Sequence, residues 1–118
     1  MSNTLNHFDH IIEKCKNIFI SKMHDYGAAW RILRLSSLTD QIYIKAQRIR
    51  GIQINKTSKI EEGQEVEFVG LINYSIICLI QIERGISDEP DFDLETALYE
   101  YDKQKILVKD LLSKKNHD

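Results

Sequence analysis

Acidic residues with helical spacing are the first sign of chemistry in this chain. Glu61, Glu62, Glu65 and Glu67 fall within seven positions. Residues three or four apart project from one side of a helix, so Glu62 and Glu65 can hold a divalent cation together. Oxygen ligands suit Mg²⁺ or Mn²⁺, whose other positions go to water or phosphate oxygens. The alternative is that these acids face water and interact with the N-terminal helix dipole.

Glu67 differs from the other acids because apolar residues surround it in the sequence. A carboxylate buried there needs a cationic partner or a metal ion. Glu62, Glu65 and Glu67 are therefore candidate magnesium ligands. Lys45 and Arg48, three positions apart, are the alternative partners of Glu67, and they are also candidates to bind one phosphate group together. The residue pattern leaves both interpretations open.

A connection rich in aromatic residues lies between the first two predicted helices. Asp25 and Tyr26 precede Gly27, and Trp30 follows. Aromatic side chains in such a connection either anchor the core or offer a surface on which a nucleobase can stack. Asp25, Tyr26 and Trp30 are therefore candidate substrate contacts, and core anchoring is the alternative for both aromatic residues.

Other classes of function find little support in the composition. Serines, cysteines and histidines show no spacing typical of an activated nucleophile or a zinc site, so the catalytic residues are unknown. A net charge of −2 argues against a general nucleic-acid binder. Two scattered cysteines and the absence of a secretory signal favour a reducing cytoplasm.

Helical periodicity predicts the elements that position these residues. The first helix runs from Thr4 to about Met23, with Gly27 as a stop signal. A capping box at residues 37–40 predicts the start of the second helix, and Ser58 opens the third, which ends at Gly85. Asp93 caps a fourth helix. We predict an all-α fold, an antiparallel bundle of four main helices in a single domain spanning residues 1–118.

The third helix is predicted to be the centre of the bundle. From Val66 to Ile82 its apolar residues occur on almost every side, which indicates a helix surrounded by partners. A membrane span is rejected because the run is shorter than roughly 20 residues and contains Glu67 and Asn73. The helix is more apolar than three neighbours require, so a homodimer is predicted.

Three motifs in order resemble a known family. They are Asp25-Tyr26-Gly27 followed by Trp30, then Asp40-Gln41-Ile42 with Lys45 and Arg48, then Glu67-Phe68-Val69-Gly70 with Asn73-Tyr74. Over roughly residues 8–109 the chain resembles nucleotide modification associated domain 1, a bacterial and phage family of unknown function. That family is in turn similar to the MazG-like and dimeric dUTPase-like all-α pyrophosphohydrolases. This resemblance implies a dimeric bundle that holds magnesium with ExxE and ExxD motifs and releases pyrophosphate from nucleoside triphosphates.

The chain departs from that enzymatic pattern at the metal site. With Glu67 as the first acid of ExxD, the second position is Gly70, and Asp40, Lys45 and Arg48 occupy the region of the first acidic pair. Two functions remain open. One is a nucleotide-binding protein that uses the basic pair on phosphates, and the other is a non-catalytic interaction or structural module. In the module, Glu67 and Asn73 pair with Lys45 or Arg48 inside the bundle.

Overall fold

The described residues form four long helices and one short 3₁₀ turn. The structure, a computed structural model, describes residues 2–55 and 58–117, and it describes side chains for residues 3–55 and 63–115. The described residues contain no β-strand, so the predicted all-α bundle of four main helices is confirmed. The elements are α1 (Ser2–Tyr26), the 3₁₀ turn (Ala29–Ile32), α2 (Leu35–Asn55), α3 (Ser58–Arg84) and α4 (Leu94–His117).

Local signals explain where three helices end or begin. Gly27 and Gly85 follow α1 and α3 with φ angles of 60° and 81°, a left-handed conformation that glycine adopts without strain. Their backbone N–H groups each donate to a carbonyl four residues back, at 2.8 Å. Asp93 caps α4 as predicted, because its Oδ1 accepts the Thr96 backbone N–H at 2.7 Å.

The predicted capping box at the start of α2 is wrong. The helix begins at Leu35, two residues before Ser37, so the serine already lies inside it. The Thr39 hydroxyl donates to the Leu35 carbonyl oxygen at 2.9 Å, which is a bond back to the preceding turn. A helix can therefore begin before a capping pattern when other contacts fix the preceding residues.

Ion pairs show how the helices run relative to one another. Asp9 pairs with Lys109 at 2.8 Å and Lys16 pairs with Asp102 at 2.9 Å, so α1 and α4 are antiparallel. Among the described helices α2 packs mainly against α3, whereas α3 contacts α1, α2 and α4. The prediction that α3 is the central helix is therefore correct.

An aromatic cluster and one polar chain join α1, α3 and α4. The rings of Phe19 and Tyr101 are 4.7 Å apart, and the Trp30 ring lies 6.0 Å from Phe19. The Tyr101 hydroxyl donates to Asn73 Oδ1 at 2.7 Å, and Asn73 Nδ2 donates to the Cys15 carbonyl at 2.9 Å. Burial raises the pKa of Tyr101 far above its ordinary value. Both polar atoms of the Asn73 side chain are thus hydrogen-bonded, one to α1 and one to α4. The prediction that Asn73 pairs with Lys45 or Arg48 is therefore wrong.

Arg31 holds the 3₁₀ turn against the end of α3. Its buried guanidinium donates to Asp91 Oδ1 and to the Gly85 carbonyl, both at 2.8 Å, and to the side-chain oxygen of Gln81. The Gln81 amide in turn donates to the backbone carbonyl of Arg31 at 2.8 Å and to that of Leu33 at 3.0 Å. These two sets of hydrogen bonds fix the position of the turn and of Leu33, which precedes α2.

One segment of α3 is long and apolar enough to cross a membrane. Gly63–Arg84 has 22 residues, and its most apolar window has a mean hydropathy of 1.5. The argument that the run is too short for a membrane span therefore does not hold. In this fold 22% of that window is buried, and Asn73 and Gln81 of the segment are buried and hydrogen-bonded to neighbouring elements.

Candidate functional site

A large open groove runs along α3. Its volume is about 890 Å³. The floor is formed by Val66, Val69, Gly70, Asn73 and Ile77 of α3. One wall is α1, and the other consists of the 3₁₀ turn with Lys45 of α2. We call this cavity the α3 groove.

The α3 groove has two chemically different ends. Met23, Tyr26, Trp30 and Leu33 lie at the end towards Ile77, where α1 and the 3₁₀ turn meet α3. At the other end, Lys14 contacts Glu65, and the Lys45 side chain passes over Gly70. Residues 65 and 77 are separated by about 18 Å along a helix that rises 1.5 Å per residue. An elongated ligand therefore meets aromatic side chains with Lys22 at one end, and Lys14 and Lys45 towards the other.

The charged residues that line the groove favour an anion. Lys14, Lys22 and Lys45 line it together with one acid, Glu65, so positive charges exceed negative ones by two. Lys14 Nζ lies 3.2 Å from Glu65 Oε1, but both side chains are more than half exposed, so this pair is weak. The Lys22 ammonium lies 5.7 Å from the centre of the Tyr26 ring.

Lys45 is held over Gly70 and directed towards Glu67. A Cβ atom at position 70 would lie only 3.1 Å from Lys45 Cε, so the missing side chain of the glycine provides the space for the lysine. Lys45 Nζ lies 3.4 Å from Glu67 Oε2, and Arg48 Nη1 lies 3.7 Å from Glu67 Oε1. The glycine that interrupts the expected ExxD motif therefore has a structural role here.

The predicted substrate contacts separate into two groups. Tyr26, Trp30 and Lys45 line the α3 groove together. Trp30 is also buried in the core, whereas two thirds of the Tyr26 side chain is exposed. Arg48 contacts Glu67 but does not line the groove. Asp25 is exposed next to Tyr26 and does not line the groove either. Tyr26 is therefore the aromatic residue that is free to rearrange around a ligand.

The predicted magnesium ligands do not converge among the described side chains. Glu65 pairs with Lys14, and Glu67 pairs with Lys45 and Arg48. The side chain of Glu62 lies outside the described residues. Within the described part of the chain, no three side chains of His, Cys, Asp or Glu are close enough to share a metal ion. The magnesium site therefore stays a prediction.

Two groove residues, Lys14 and Lys22, were not predicted from the sequence. With Ile18 they form a run at four-residue intervals on α1, and all three line the groove. That spacing, next to the apolar stripe of α1, is the signal that could have identified them. What the sequence does not show is that this side of α1 faces Lys45 of α2 across the groove.

The fold and the groove define a class of protein, an all-α bundle with an open groove lined by lysines and aromatic side chains. The family model of nucleotide modification associated domain 1 matches residues 22–82, which are 61 of the 118 residues. The chain belongs to this family, as the motif resemblance predicts. The matched residues include the 3₁₀ turn, α2 and the groove floor. No curated protein and no solved structure matches the chain significantly.

Proposed function

We propose that the protein binds a nucleotide in the α3 groove. The observation that carries this proposal is the separation of an aromatic end from an ammonium end within one cleft about 18 Å long. A nucleotide has the same polarity, with a planar apolar base at one end and phosphates at the other. The groove volume of about 890 Å³ lies within the usual range for small-molecule sites.

In this proposal the base lies against Tyr26 and the edge of Trp30. The exposed Tyr26 ring can stack on a planar base, and Leu33 and Ile77 exclude water around it. The phosphates reach Lys14 and Lys45, whose ammonium groups form charge-assisted hydrogen bonds with phosphate oxygens. Lys22 lies at the aromatic end, with its ammonium group 5.7 Å from the centre of the Tyr26 ring.

Glutamates of α3 compete with the phosphates for these lysines. Glu65 lies 3.2 Å from the Lys14 ammonium, and Glu67 lies 3.4 Å from that of Lys45. A phosphate chain with several negative charges displaces a single carboxylate more readily than a phosphate with fewer charges does. We therefore expect nucleoside di- and triphosphates to bind more tightly than monophosphates, and unphosphorylated nucleosides to bind most weakly.

A thermal-shift titration tests the proposal. Nucleoside triphosphates, monophosphates, nucleosides and inorganic tripolyphosphate are compared, each with and without Mg²⁺. At a concentration one hundred times the Kd, a bound ligand raises the stability by roughly 2.7 kcal/mol, which corresponds to roughly 10 °C in Tm. Lys45→Met should remove most of the shift, whereas the matched control Lys103→Met, on α4, should retain it. No shift with any nucleotide would overturn the proposal.

The comparison with and without Mg²⁺ also tests whether the protein hydrolyses nucleoside triphosphates, the reaction that the family resemblance implies. If the pyrophosphohydrolase chemistry operates, pyrophosphate accumulates only when a triphosphate and Mg²⁺ are both present, and Glu62→Gln and Glu65→Gln reduce its release. Binding without release of pyrophosphate supports a nucleotide-binding protein that does not catalyse this reaction. The two results separate binding from catalysis, because the thermal shift requires no turnover.

The competing proposal is a non-catalytic interaction module. The contacts of Lys45 and Arg48 with Glu67 favour it, because they join α2 to α3 inside the chain. In a module of this kind Lys45→Met lowers the free energy of unfolding, and nucleotides leave the Tm of the wild-type protein unchanged. The same titration therefore distinguishes the two functions.

A further inference from the structure

A smaller cavity lies next to the α3 groove, between α1 and α3. Its volume is about 520 Å³. Three of the side chains that it does not share with the groove are apolar, and one is a carboxamide. They are Ile11 of α1 and Gln64, Phe68 and Ile72 of α3. We call this space the second cavity.

An ion pair lies on the border between the second cavity and the α3 groove. Lys14, Glu65 and Val69 line both of them, and Lys14 Nζ lies 3.2 Å from Glu65 Oε1. Both side chains of the pair are more than half exposed, so water and salt weaken the attraction between them. A phosphate that binds Lys14 leaves the Glu65 side chain free to turn into the solvent. An anionic ligand in the groove therefore opens the border to the second cavity.

The second cavity has chemistry similar to that of the aromatic end of the groove. The Phe68 side chain is 39% exposed, so a planar group can pack on its ring. The Gln64 carboxamide both donates and accepts hydrogen bonds, as the edge of a nucleobase also does. Two ammonium groups, those of Lys14 and Lys45, lie between this cavity and the aromatic end of the groove. The order along α3 is thus aromatic, cationic and aromatic.

We infer that the preferred ligand of this site is a dinucleoside polyphosphate, in which a chain of phosphates joins two nucleosides. The inference rests on the proposed function, because its first base and its phosphates occupy the α3 groove as the proposed nucleotide does. The phosphate chain crosses Lys45 and Lys14, and the second base packs against Phe68. From residue 77 to residue 64 the helix rises by about 20 Å, so the ligand lies extended along α3. A nucleoside triphosphate fills only the groove.

Titration calorimetry tests the inference with two ligands. They are the nucleoside triphosphate that gives the largest thermal shift and the dinucleoside tetraphosphate with the same base. The two carry similar phosphate charge, so a difference in affinity reports the second nucleoside. We expect the dinucleoside compound to bind roughly tenfold more tightly, which is a typical contribution of one base stacked on an aromatic ring.

Substitutions in the two cavities assign this gain in affinity to its source. Phe68→Ala should abolish the gain and leave the affinity for the triphosphate unchanged, whereas Tyr26→Ala should weaken the binding of both ligands. Leu79→Ala is the matched control for Phe68→Ala and should retain the gain. This leucine of α3 has a similar exposed fraction, 37%, and lines neither cavity.

The results separate this inference from the proposed function. Triphosphate binding without a gain for the dinucleoside compound overturns the inference and leaves the proposed function standing. A gain that Phe68→Ala retains also overturns the inference, because the second base then lies elsewhere. If neither ligand binds, the proposed function fails and the inference fails with it.

Tryptophan fluorescence locates the second base. Phe68→Trp adds an indole to a chain whose single tryptophan, Trp30, lines the aromatic end of the groove. The dinucleoside compound should quench more emission in Phe68→Trp than in the wild-type protein, because its second base stacks on the new ring. The triphosphate should cause no extra quenching, and Leu79→Trp should show none with either ligand. Equal quenching of Phe68→Trp and the wild-type protein by the dinucleoside compound would overturn the inference.

Discussion

Lys45 Nζ lies 3.4 Å from Glu67 Oε2, and both side chains are more than four fifths buried. The contact lacks hydrogen-bond geometry, and among the described residues this carboxylate oxygen has no hydrogen-bond partner. A buried carboxylate oxygen without a hydrogen bond is costly, so the neighbouring ammonium is what makes its burial tolerable. The pair thus joins α2 to α3 and at the same time places a cation at the edge of the α3 groove.

The first prediction concerns the coupling of this pair. Lys45→Met and Glu67→Gln should each lower the free energy of unfolding by about 1 to 3 kcal/mol, because each leaves a buried polar group without its partner. The double variant should lose less than the sum, with a coupling of about 1 kcal/mol. Urea unfolding of the four proteins measures this coupling. Strict additivity would show that Lys45 and Glu67 do not stabilise each other.

The second prediction uses Gly70 to separate stability from ligand binding. In Gly70→Ala the new methyl group pushes the Lys45 stem aside, while alanine improves the helix by about 1 kcal/mol. We expect the free energy of unfolding to change by less than about 1 kcal/mol and the nucleotide-dependent thermal shift to fall. Gly51→Ala in α2 is the control, because no atom lies within 4 Å of its added methyl group. An undiminished shift in Gly70→Ala would remove Lys45 from the site.

The third prediction concerns Arg31. Arg31→Met removes the donors to Asp91, Gln81 and the Gly85 carbonyl together, and we expect it to lower the free energy of unfolding by about 3 kcal/mol or more. Arg31→Lys should recover only part of the loss, since an ammonium cannot reproduce the planar geometry of the guanidinium. Guanidinium chloride unfolding measures both. Full recovery by lysine would show that charge, and not geometry, holds the 3₁₀ turn.

The fourth prediction concerns acid stability. A hydrogen bond from the Arg31 guanidinium holds the pKa of Asp91 below its ordinary value. Because the folded-state pKa is depressed, this contribution is present above the unfolded-state pKa of about 3.9 and is lost as the pH falls through the folded-state pKa. Asp91→Asn should be less stable at neutral pH, and its stability should fall less steeply below about pH 4. Urea midpoints across this range measure the difference between the two slopes.

The fifth prediction concerns the polar chain in the core. Tyr101→Phe deprives Asn73 Oδ1 of its donor in a buried site, and we expect a loss of about 1 to 2 kcal/mol. Tyr99→Phe, on the exposed side of the same helix, should change the stability by less than about 0.5 kcal/mol. Thermal unfolding of both variants measures the two effects. Equal losses would show that the hydroxyl of Tyr101 contributes nothing specific.

The elements of this fold could be predicted because their signals are local. Apolar residues at intervals of three and four define α1 and α4, Gly27 allows the chain to turn after Tyr26, and Asp93 accepts the Thr96 N–H at the start of α4. Each signal acts within one or two turns of a helix, so no other part of the chain is needed to interpret it. The predicted start of α2 is wrong. A hydrogen bond between Gln81 and Arg31, which are far apart in the sequence, helps to fix the residues before this helix, and no local pattern shows it.

The site depends on contacts that periodicity does not specify. Glu67 had three candidate partners, the basic pair of α2 and a metal ion, and the rotation of α2 about its own axis places Lys45 and Arg48 beside it. The same rotation places Lys45 over Gly70 and opposite Lys14 of α1. Successive residues of a helix point in directions about 100° apart. A shift of one residue in the packing of α2 therefore changes which charged side chains face α3.

The sequence by itself therefore determined the four helices, the cap of α4 and the family of this protein, because these follow from the order and spacing of residues along the chain. Only the tertiary structure decided that Glu67 binds Lys45 and Arg48, that Arg31 is buried as a clamp, and that Tyr26 and Lys45 line one groove. The physical reason is that pairing between helices depends on their rotation and crossing, which all the residues of the core set together.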